Sequence, residues 1–372
     1  MSDWQPQVVR IEKVEKHPDA DALDVCTVLG DYPVITKRNE YKVGDLASYI
    51  PIDSIVPDNN DFHFLCPLNK EKYEEFVGQD LVTKERILGP KFPVGSVPEK
   101  YRRIKAKRIR GIYSQGMLVQ VPRLAFPFYL IEGDSVVEEL ELKKWEEEEE
   151  ENLPGLKKTR GTNAEKAPQG WAIPHYDIDG IRKYVDCLGE AEEIVLTEKL
   201  HGSNAGFSHD GTRLWVKSRN YYKKMDEDDM WWDIALRYDL ESKLAQQPGL
   251  VFFGEVYGQV KGFRYDTVIA EGRLMTKVRF FDVFNTKTMR YLNYDDRVKV
   301  LAELGLDTVP ELYRGKFTNK SDIYSFAEGM STLNPKHIRE GFVLNTLKER
   351  YEPRVDGRLQ FKLVGEGYNL QK

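Results

Sequence analysis

The second half of this 372-residue chain contains a series of short apolar segments, each interrupted by isolated charged residues. The segments with this pattern are 194–199, 250–258, 278–284, 339–344 and 359–364. β-Branched and aromatic residues favour strands, whereas a charge inside a strand costs free energy unless it is paired or binds a ligand. Charged residues on five successive strands are hard to explain as chance, and they indicate a functional site carried by sheets.

Lys199 ends the first of these segments, and Gly202 follows it three residues later. A free lysine has a pKa near ~10.4, so at neutral pH only about one in a thousand or fewer is neutral and nucleophilic. The apolar run 194–196 can bury the lysine stem, and glycine lets a backbone approach a nucleotide closely. A Lys-x-x-Gly pattern alone also arises by chance, so its meaning depends on the sequence that follows.

A hairpin follows the lysine. Asp210 and Gly211 predict a two-residue turn between alternating strands. This register sets Gly202 opposite Arg219 and lets the guanidinium face the lysine loop, where it can hold a phosphate or ribose oxygen. The alternative at this stage is a solvated arginine at a strand end.

Taken in order, the motifs resemble those of the covalent nucleotidyltransferase superfamily, which contains ATP-dependent RNA ligases, DNA ligases and mRNA-capping guanylyltransferases. The motifs are Lys199–Gly202, Ser218-Arg219, Phe253–Glu255, Phe280–Asp282, Glu340-Gly341 and Phe361-Lys362. The tetrad with His201 before the glycine, continued by Ser203-Asn204, is closer to RNA ligases. The resemblance covers roughly residues 170 to 372, and the order of the motifs makes it more specific than any one of them.

The resemblance implies that Lys199 attacks the α-phosphate of ATP and becomes lysyl-AMP. The adenylate would pass to a 5′-phosphorylated RNA end, and a 3′-hydroxyl would then displace AMP and seal the break. Lys362 would neutralise the transferred phosphate as a second catalytic residue. Glu340 would engage Mg²⁺ (or Mn²⁺) through water, because Mg²⁺ keeps several of its waters.

The resemblance also implies a set of nucleotide-binding residues. Glu255 would bind the ribose hydroxyl and Phe281 would stack on adenine, while Asn204 and Arg219 would contact the sugar and phosphate side. The complete set is Glu198, Leu200, Asn204, Arg219, Glu255, Phe281 and Lys362.

The last motif departs from the superfamily pattern, which has two lysines separated by one residue. Gln360, Lys362 and Val364 leave one lysine in this trio. Either Lys362 acts alone or a lysine elsewhere compensates. His201 also differs from the acidic residue of many relatives, and it is read as either structural or catalytic.

The first half of the chain predicts a small β-barrel. Alternating strands flank a Pro-Asp turn near residues 8–25. The segments 17–21 and 114–117 resemble the OB-fold tRNA-binding domain of some aminoacyl-tRNA synthetases, with an insertion around residues 57–100. Such barrels bind nucleic acid. The basic residues expected to contact RNA are Arg102, Arg103, Lys105, Lys107, Arg108 and Arg110. The alternative is a solvated strand face.

These patterns predict an α+β chain. An N-terminal OB-type β-barrel binds nucleic acid over residues 1–145, an acidic and polar linker spans 146–168, and an adenylyltransferase domain of antiparallel sheets with flanking helices spans 169–372. The net charge of −6 hides a local basic face, because six acids lie together at 146–151. Three cysteines without zinc spacing indicate reduced thiols and a cytoplasmic protein, and we expect no membrane segment or signal peptide.

The predicted function is an ATP-dependent RNA ligase that repairs RNA, using RNA with 5′-phosphate and 3′-hydroxyl ends in a nicked duplex and no obligate protein partner. Two alternatives stay open at this stage. One is a capping-type guanylyltransferase that uses GTP, although an OB module at the front of the chain argues against it. The other is a noncatalytic RNA-binding protein, although the intact series of lysine, arginine and glutamate motifs argues against decay.

Overall fold

The computed structural model describes residues 4–59, 61–62, 97–122, 129–145, 164–166, 176–260, 263–265, 269–270, 273–274 and 276–371. It divides into two compact units, Ser2–Glu146 and Glu147–Gln371. Most of the predicted linker and much of the predicted insertion lie outside the described residues. Within the described residues, every helix is too short or too polar to cross a membrane.

The N-terminal unit is built from short strands. Its elements are β1 (Gln7–Arg10), β2 (Lys13–Lys16), β3 (Leu23–Val28), β4 (Tyr32–Lys37), β5 (Leu46–Ile50), β6 (Ser54–Ile55), a helix at Glu99–Arg102, β7 (Lys107–Ile109), β8 (Ile112–Ser114), β9 (Met117–Val119) and β10 (Lys143–Lys144). The strands form two three-stranded sheets, β1-β5-β9 and β2-β3-β4, and two-stranded pairs β6-β10 and β7-β8. Among the described residues these ladders do not join into one closed barrel.

Alternation along the strands supplies the core of this unit. In β3 every second residue is buried, and Cys26 pairs with Val34 of β4 across the ladder. Because successive side chains of a strand point to opposite faces, this pattern buries one face and exposes the other. Val9 and Leu118 join the same apolar cluster from β1 and β9. The two three-stranded sheets therefore share a core.

The C-terminal unit contains two larger sheets. The seven-stranded sheet has the order β11-β16-β15-β14-β17-β22-β23 and the five-stranded sheet has the order β12-β28-β25-β13-β24. Their strands are β11 (Ala164–Glu165), β12 (Asp179–Gly180), β13 (Glu193–Lys199), β14 (Ser203–His209), β15 (Leu214–Ser218), β16 (Tyr222–Lys223), β17 (Leu250–Tyr257), β22 (Lys277–Asn285), β23 (Arg290–Tyr291), β24 (Glu311–Lys316), β25 (Gly341–Thr346) and β28 (Gln360–Val364). All pairings in the two sheets are antiparallel except β12 with β28.

Short ribbons and helices complete the unit. The ribbons pair β18 (Gln259–Val260) with β19 (Phe263–Arg264), β20 (Ile269–Ala270) with β21 (Arg273–Leu274), and β26 (Tyr351–Glu352) with β27 (Gly357–Arg358). The α-helices are Met230–Arg237, Leu240–Leu244, Tyr294–Glu303, Lys320–Tyr324 and Glu366–Gln371, and the 3₁₀ turns are Ile181–Lys183, Val185–Cys187, Ser325–Ala327 and Pro353–Val355. The expectation of an OB-type unit followed by antiparallel sheets with flanking helices agrees with this architecture.

Each large sheet buries one face in an apolar cluster and carries polar residues on the other, where the seven-stranded sheet also has the buried residues Val251, Phe253 and Phe284. Phe207, Phe252 and Phe280 of the seven-stranded sheet pack with Ile234 and Leu301 of the helices. The buried residues of the five-stranded sheet include Leu196, Phe342 and Phe361. Since side chains alternate along a strand, the charged residues between these positions project from the opposite faces.

The two sheets meet at one buried carboxylate, Asp282 of β22. Its Oδ2 accepts a hydrogen bond from Arg358 at 2.6 Å and its Oδ1 accepts one from Arg297 at 3.2 Å. Tyr176 Oη lies 2.7 Å from Oδ2 of the same carboxylate and 3.0 Å from Oε1 of Gln360 in β28. Burial by itself would raise the pKa of Asp282, but the charges of the two arginines outweigh burial and lower that pKa.

We expect Asp282→Asn to lower the free energy of unfolding by about 3–5 kcal/mol, because it leaves two arginines without their buried counter-charge. Urea denaturation of the purified protein measures this change. Asp295→Asn is the matched control, since Asp295 pairs with Arg314 at the surface. An exposed pair contributes about 0–1 kcal/mol. Equal losses in the two variants would contradict the structural role assigned to Asp282.

Candidate active site

Lys199 is the last residue of β13, and its ammonium lies beside a carboxylate from the start of β25. Nζ donates a hydrogen bond to Oε1 of Glu340 at 2.6 Å, and the two side chains are 25% and 13% exposed. Lys199 pairs with Gly341 in the sheet, so the backbone register itself brings Glu340 next to the lysine. The predicted nucleophile and the predicted metal-binding residue therefore lie in direct contact.

Gly341 is a position where the fold requires glycine. Its φ is +152°, and a Cβ added there would overlap the carbonyl oxygen of Leu363 in β28. A side chain at this position would push β25 away from β28. The close approach of these strands therefore depends on the absence of a side chain next to Glu340.

Glu198 and Leu200 anchor the backbone on both sides of Lys199. Glu198 projects from the opposite face of β13, where Ser331 Oγ donates to Oε1 at 2.5 Å and the Thr332 N–H donates to Oε2 at 2.8 Å. Leu200 is buried in an apolar cluster with Tyr257. Both side chains are fixed by protein contacts, and their predicted role at the nucleotide stays a prediction.

Lys362 lies on the same face of the five-stranded sheet as Lys199. The register pairs Lys362 with Val343, and Val343 with Thr197. Thr197 and Lys199 are two residues apart in one strand, so their side chains project from the same face. The structure therefore brings the two predicted catalytic lysines to a common face.

The glutamine of the last motif is part of the junction between the sheets. Gln360 Nε2 donates to Oδ1 of Asn345 at 2.8 Å, and its Oε1 lies next to the Tyr176 hydroxyl and Arg358. Gln360 is buried. Its position is therefore occupied by a structural amide, and the charge of the motif comes from Lys362.

Asn204 and Glu255 lie side by side on one face of the seven-stranded sheet. They pair directly across β14 and β17, and Glu255 also pairs with Arg279 on β22. Arg219 follows β15 and forms an ion pair with Asp177 at 3.4 Å, with 46% of its side chain exposed. This face thus carries two predicted nucleotide-binding residues on adjacent strands, and the third, Arg219, follows β15 at the surface.

The hairpin after the lysine has a different register from the predicted one. His209 pairs with Leu214, which leaves a loop of four residues between them rather than two. Asp210 closes this longer loop, because its Oδ1 accepts the backbone N–H groups of two residues that follow. The prediction that Gly202 lies opposite Arg219 was therefore wrong.

Phe281 packs against two apolar clusters of the C-terminal unit, one that contains Tyr176 and one that contains Leu200. It has no strand partner between Phe280 and Asp282, which makes it the extra residue of a β-bulge. Its ring centroid lies 5.0 Å from that of Tyr176, and it also packs against the cluster that contains Leu200. The predicted base platform is therefore half-buried beside the residue that follows Lys199.

Tyr265 is a site residue that sequence reasoning missed. Its buried hydroxyl accepts the backbone N–H of His201 at 2.9 Å. Burial raises the pKa of Tyr265, the His201 N–H lowers it, and three carboxylates raise it further. Those carboxylates are Glu340, Glu198 and Glu255. Tyr265 therefore lies within the electrostatic influence of all three carboxylates. It belongs to no sequence motif that could have identified it.

His201 has a structural partner. Its Nδ1 is hydrogen-bonded to the hydroxyl of Tyr368 in the C-terminal helix, and the two rings are 6.0 Å apart. This contact connects the lysine loop to the end of the chain. It favours the structural reading of the histidine.

The described residues contain no group of three or more His, Cys, Asp or Glu side chains arranged to hold a metal ion. Glu340 is the carboxylate nearest to the lysine in the motif series, since it contacts Nζ directly. One carboxylate fits Mg²⁺ or Mn²⁺ bound mainly through water and substrate, because Mg²⁺ rarely uses a full protein cage.

The basic segment of the N-terminal unit contains two partly buried arginines and four exposed cations. Arg102 donates to the carbonyl oxygens of Val97 and Val56, and Arg103 pairs with Asp53. These two arginines therefore stabilise the fold. The exposed members are Lys105, Lys107, Arg108 and Arg110.

The exposed basic residues lie in a tight hairpin or just before it. β7 and β8 pair so that Ile109 lies opposite Ile112, which leaves Arg110 and Gly111 as a two-residue turn. Both turn residues have positive φ, as a type I′ turn requires. The hairpin presents Lys107, Arg108 and Arg110 to solvent.

The chain can now be compared with known proteins. Residues 192–364 match the family model for RNA ligase, and residues 6–86 match the model of an OB-fold domain. No curated protein matches the chain. A lysine-to-alanine mutant of Naegleria gruberi RNA ligase with ATP and Mn is similar in structure, with a TM-score of 0.74, 20% identity and 99% of each chain covered.

Two further structures of the Naegleria gruberi enzyme are similar. The complex with pyrophosphate has a TM-score of 0.74 and 21% identity, and covers 99% of this chain and 98% of that chain. A lysine-to-methionine mutant with AMP and Mn has a TM-score of 0.75 and 21% identity, with the same coverage. These similarities define the class of protein by its fold, which is an OB-fold unit followed by a ligase-type domain of two sheets. The predicted resemblance to RNA ligases is confirmed by the match of residues 192–364 to the model of that family.

We expect Gly341→Ala to reduce nucleotide labelling of Lys199 by roughly 100-fold, because a shift of about 1 Å in Glu340 and β25 has an effect of that size on a positioned reaction. Labelling with ATP carrying a radioactive α-phosphate measures the loss. Gly189→Ala is the control, since a Cβ there meets only Glu192 at 3.8 Å. Normal labelling in Gly341→Ala would show that the close strand contact is not needed.

Proposed function

We propose that the chain is an ATP-dependent RNA ligase that seals 3′-hydroxyl/5′-phosphate breaks in three steps. In the first step the Lys199 amine bonds to the α-phosphorus of ATP, and the bond from that phosphorus to the bridging oxygen breaks. Pyrophosphate leaves with the electron pair, and the nitrogen loses a proton. Glu340, 2.6 Å from Nζ, is placed to accept that proton. This contact is the observation that carries the proposal.

The next two steps transfer the adenylate and seal the strand. An oxygen of the RNA 5′-phosphate bonds to the adenylate phosphorus, the P–N bond breaks, and Lys199 regains its proton. The RNA 3′-hydroxyl then bonds to the 5′-phosphorus and loses its proton, while AMP leaves with the electron pair. Lys362 shares the polar face with Lys199 and neutralises charge on the phosphoryl oxygens in these steps.

The remaining site residues hold the nucleotide. Phe281 stacks on the base, and Glu255 accepts a hydrogen bond from a ribose hydroxyl. Asn204 and Arg219 contact the sugar and phosphate side of the nucleotide. A divalent metal bound through water near Glu340 would offset phosphate charge. Naegleria gruberi RNA ligase has been solved with ATP and Mn and with AMP and Mn, which supports the same nucleotide and a divalent metal here.

The biological setting follows from the same chemistry. We propose that the substrate is a nicked RNA duplex, because sealing requires the 3′-hydroxyl and 5′-phosphate ends to be held together. The described cysteines, Cys26 and Cys187, are free and buried, which is consistent with a reducing cytoplasm. We assign residues 1–145 to RNA binding, 146–168 to a linker and 169–372 to adenylyl transfer.

We expect wild-type protein to retain label from α-labelled ATP on a denaturing gel, and Lys199→Ala and Lys199→Arg to lose it. The first variant removes the amine, and the second keeps a positive charge that cannot act as the nucleophile. Mass spectrometry of the wild-type adduct locates the label on residue 199.

Lys299→Ala is the control, because Lys299 is exposed on the helix Tyr294–Glu303. Label from GTP instead of ATP would support the capping-type alternative. Protein that takes no label from either nucleotide would be a noncatalytic RNA binder. A label that survives in Lys199→Ala would rule out this lysine as the nucleophile.

We infer that the basic hairpin of the N-terminal unit contacts the RNA backbone. Its cations are exposed at the surface, where the phosphates of an RNA strand can reach them. Arg102 and Arg103 contribute to this site only by holding the segment in place.

We expect Lys107→Gln combined with Arg108→Gln to weaken RNA binding and to reduce the dependence of affinity on salt. The slope of log K against log salt concentration should fall by about 0.7 for each lost phosphate contact on single-stranded RNA. Fluorescence anisotropy at several salt concentrations measures the slope. Lys42→Gln, at an exposed lysine of the same unit, should leave it unchanged. An unchanged slope in the double variant would exclude the hairpin from RNA contact.

A further inference from the structure

The segment that follows Arg219 carries an exposed aromatic ring that no motif explains. Tyr221 is 63% exposed, and it lies in a short turn between β15 and β16. The Ser218 N–H donates to the Tyr221 carbonyl at 2.8 Å, and the Tyr221 N–H donates to Ser218 Oγ at 3.3 Å. These reciprocal bonds fix the turn, so the ring is held at the surface by an ordered backbone.

The residues near Tyr221 are of the types that bind nucleic acid. Met225 is also exposed, at 62%, and Arg219 and Lys224 are exposed cations in the same stretch of seven residues. Exposed aromatic rings beside cations are the means by which proteins hold single-stranded nucleic acid, since every base has a face that stacks and every linkage has a phosphate. We call residues 219–225 the Tyr221 turn.

The position of the Tyr221 turn relates it to the nucleotide site. Arg219 is the residue to which the proposed mechanism gives the sugar and phosphate side of the nucleotide, and Tyr221 is two residues beyond it. The RNA end that receives the adenylate must approach the same phosphate. A ring at this place is therefore next to the path of the RNA strand.

The acidic residues after the Tyr221 turn limit where a strand can pass. Glu227 and Asp228 are exposed, whereas Asp229 is buried, pairs with Lys223 and caps the following helix. Phosphates are repelled by the two exposed acids and attracted by Lys224. An RNA strand would therefore run on the side of Arg219 and Lys224.

We propose that Tyr221 stacks on a base of the RNA strand next to the break, while Lys224 supplies a charge for its phosphate backbone. This role rests on the proposed RNA-sealing function and adds an RNA contact that the adenylation motifs do not include. It acts after lysyl-AMP has formed, because the first step uses ATP alone.

The test uses a nicked RNA duplex whose 5′-phosphate already carries AMP, so that sealing is measured without ATP. In Tyr221→Ala the KM for this RNA should rise roughly 5- to 100-fold, the range expected for loss of one stacked base. Lysyl-AMP formation from ATP should be unchanged in the same variant. Tyr221→Trp should keep a KM close to that of the wild type, because tryptophan preserves a stacking face.

Tyr351→Ala is the matched control, because Tyr351 is 60% exposed in the same unit but lies on β26, which contains none of the motif residues. An unchanged KM in Tyr221→Ala, or an equal rise in Tyr221→Ala and Tyr221→Trp, would overturn the stacking role. Loss of lysyl-AMP in Tyr221→Ala would overturn it as well. Wild-type protein that forms no lysyl-AMP would instead refute the proposed function itself, so the two failures are distinguishable.

Discussion

The C-terminal unit depends on one buried charge, Asp282, which joins the sheet that carries Glu255 to the sheet that carries Lys362. A carboxylate in a core is costly unless it is fully paired, and here Arg297, Arg358 and the Tyr176 hydroxyl provide the partners. Because these partners come from distant segments of the chain, their contacts with Asp282 help to fix the position of one sheet relative to the other. The bulge at the neighbouring position lets Phe281, the predicted base platform, pack against the cluster that contains Leu200.

The second constraint is the contact between Lys199 and Glu340. Its short distance means that the Lys199 ammonium is paired with a carboxylate, so under the proposed mechanism the nucleotide and the metal must displace this pair before the amine can react. Burial and, after it, the surrounding carboxylates raise the pKa of Tyr265, and its hydroxyl accepts a hydrogen bond from the backbone of the lysine loop. Glu340, Glu198 and Glu255 lie near this hydroxyl, and carboxylate oxygens are ligands that a divalent cation prefers.

Much of the site follows from the order of the motifs. Each motif ends or interrupts a strand, and a period of two residues decides which side chains share a face, so Lys199, Lys362 and Asn204 lie on polar faces as strand alternation requires. The details that failed were set by side-chain contacts. The hairpin register shifted because Asp210 closes a longer loop, and Arg103 left the predicted RNA face because Asp53 and Trp145 hold it.

The sequence by itself determined the strands, the two units and the family, because alternation and motif order are local properties of the chain. The tertiary structure decided which distant residues meet. The contact of Lys199 with Glu340 joins positions 141 apart, and that of Tyr176 with Gln360 joins positions 184 apart. Such pairs depend on sheet order and backbone register, which are selected by the packing of the whole unit and leave no signal in a short stretch of sequence.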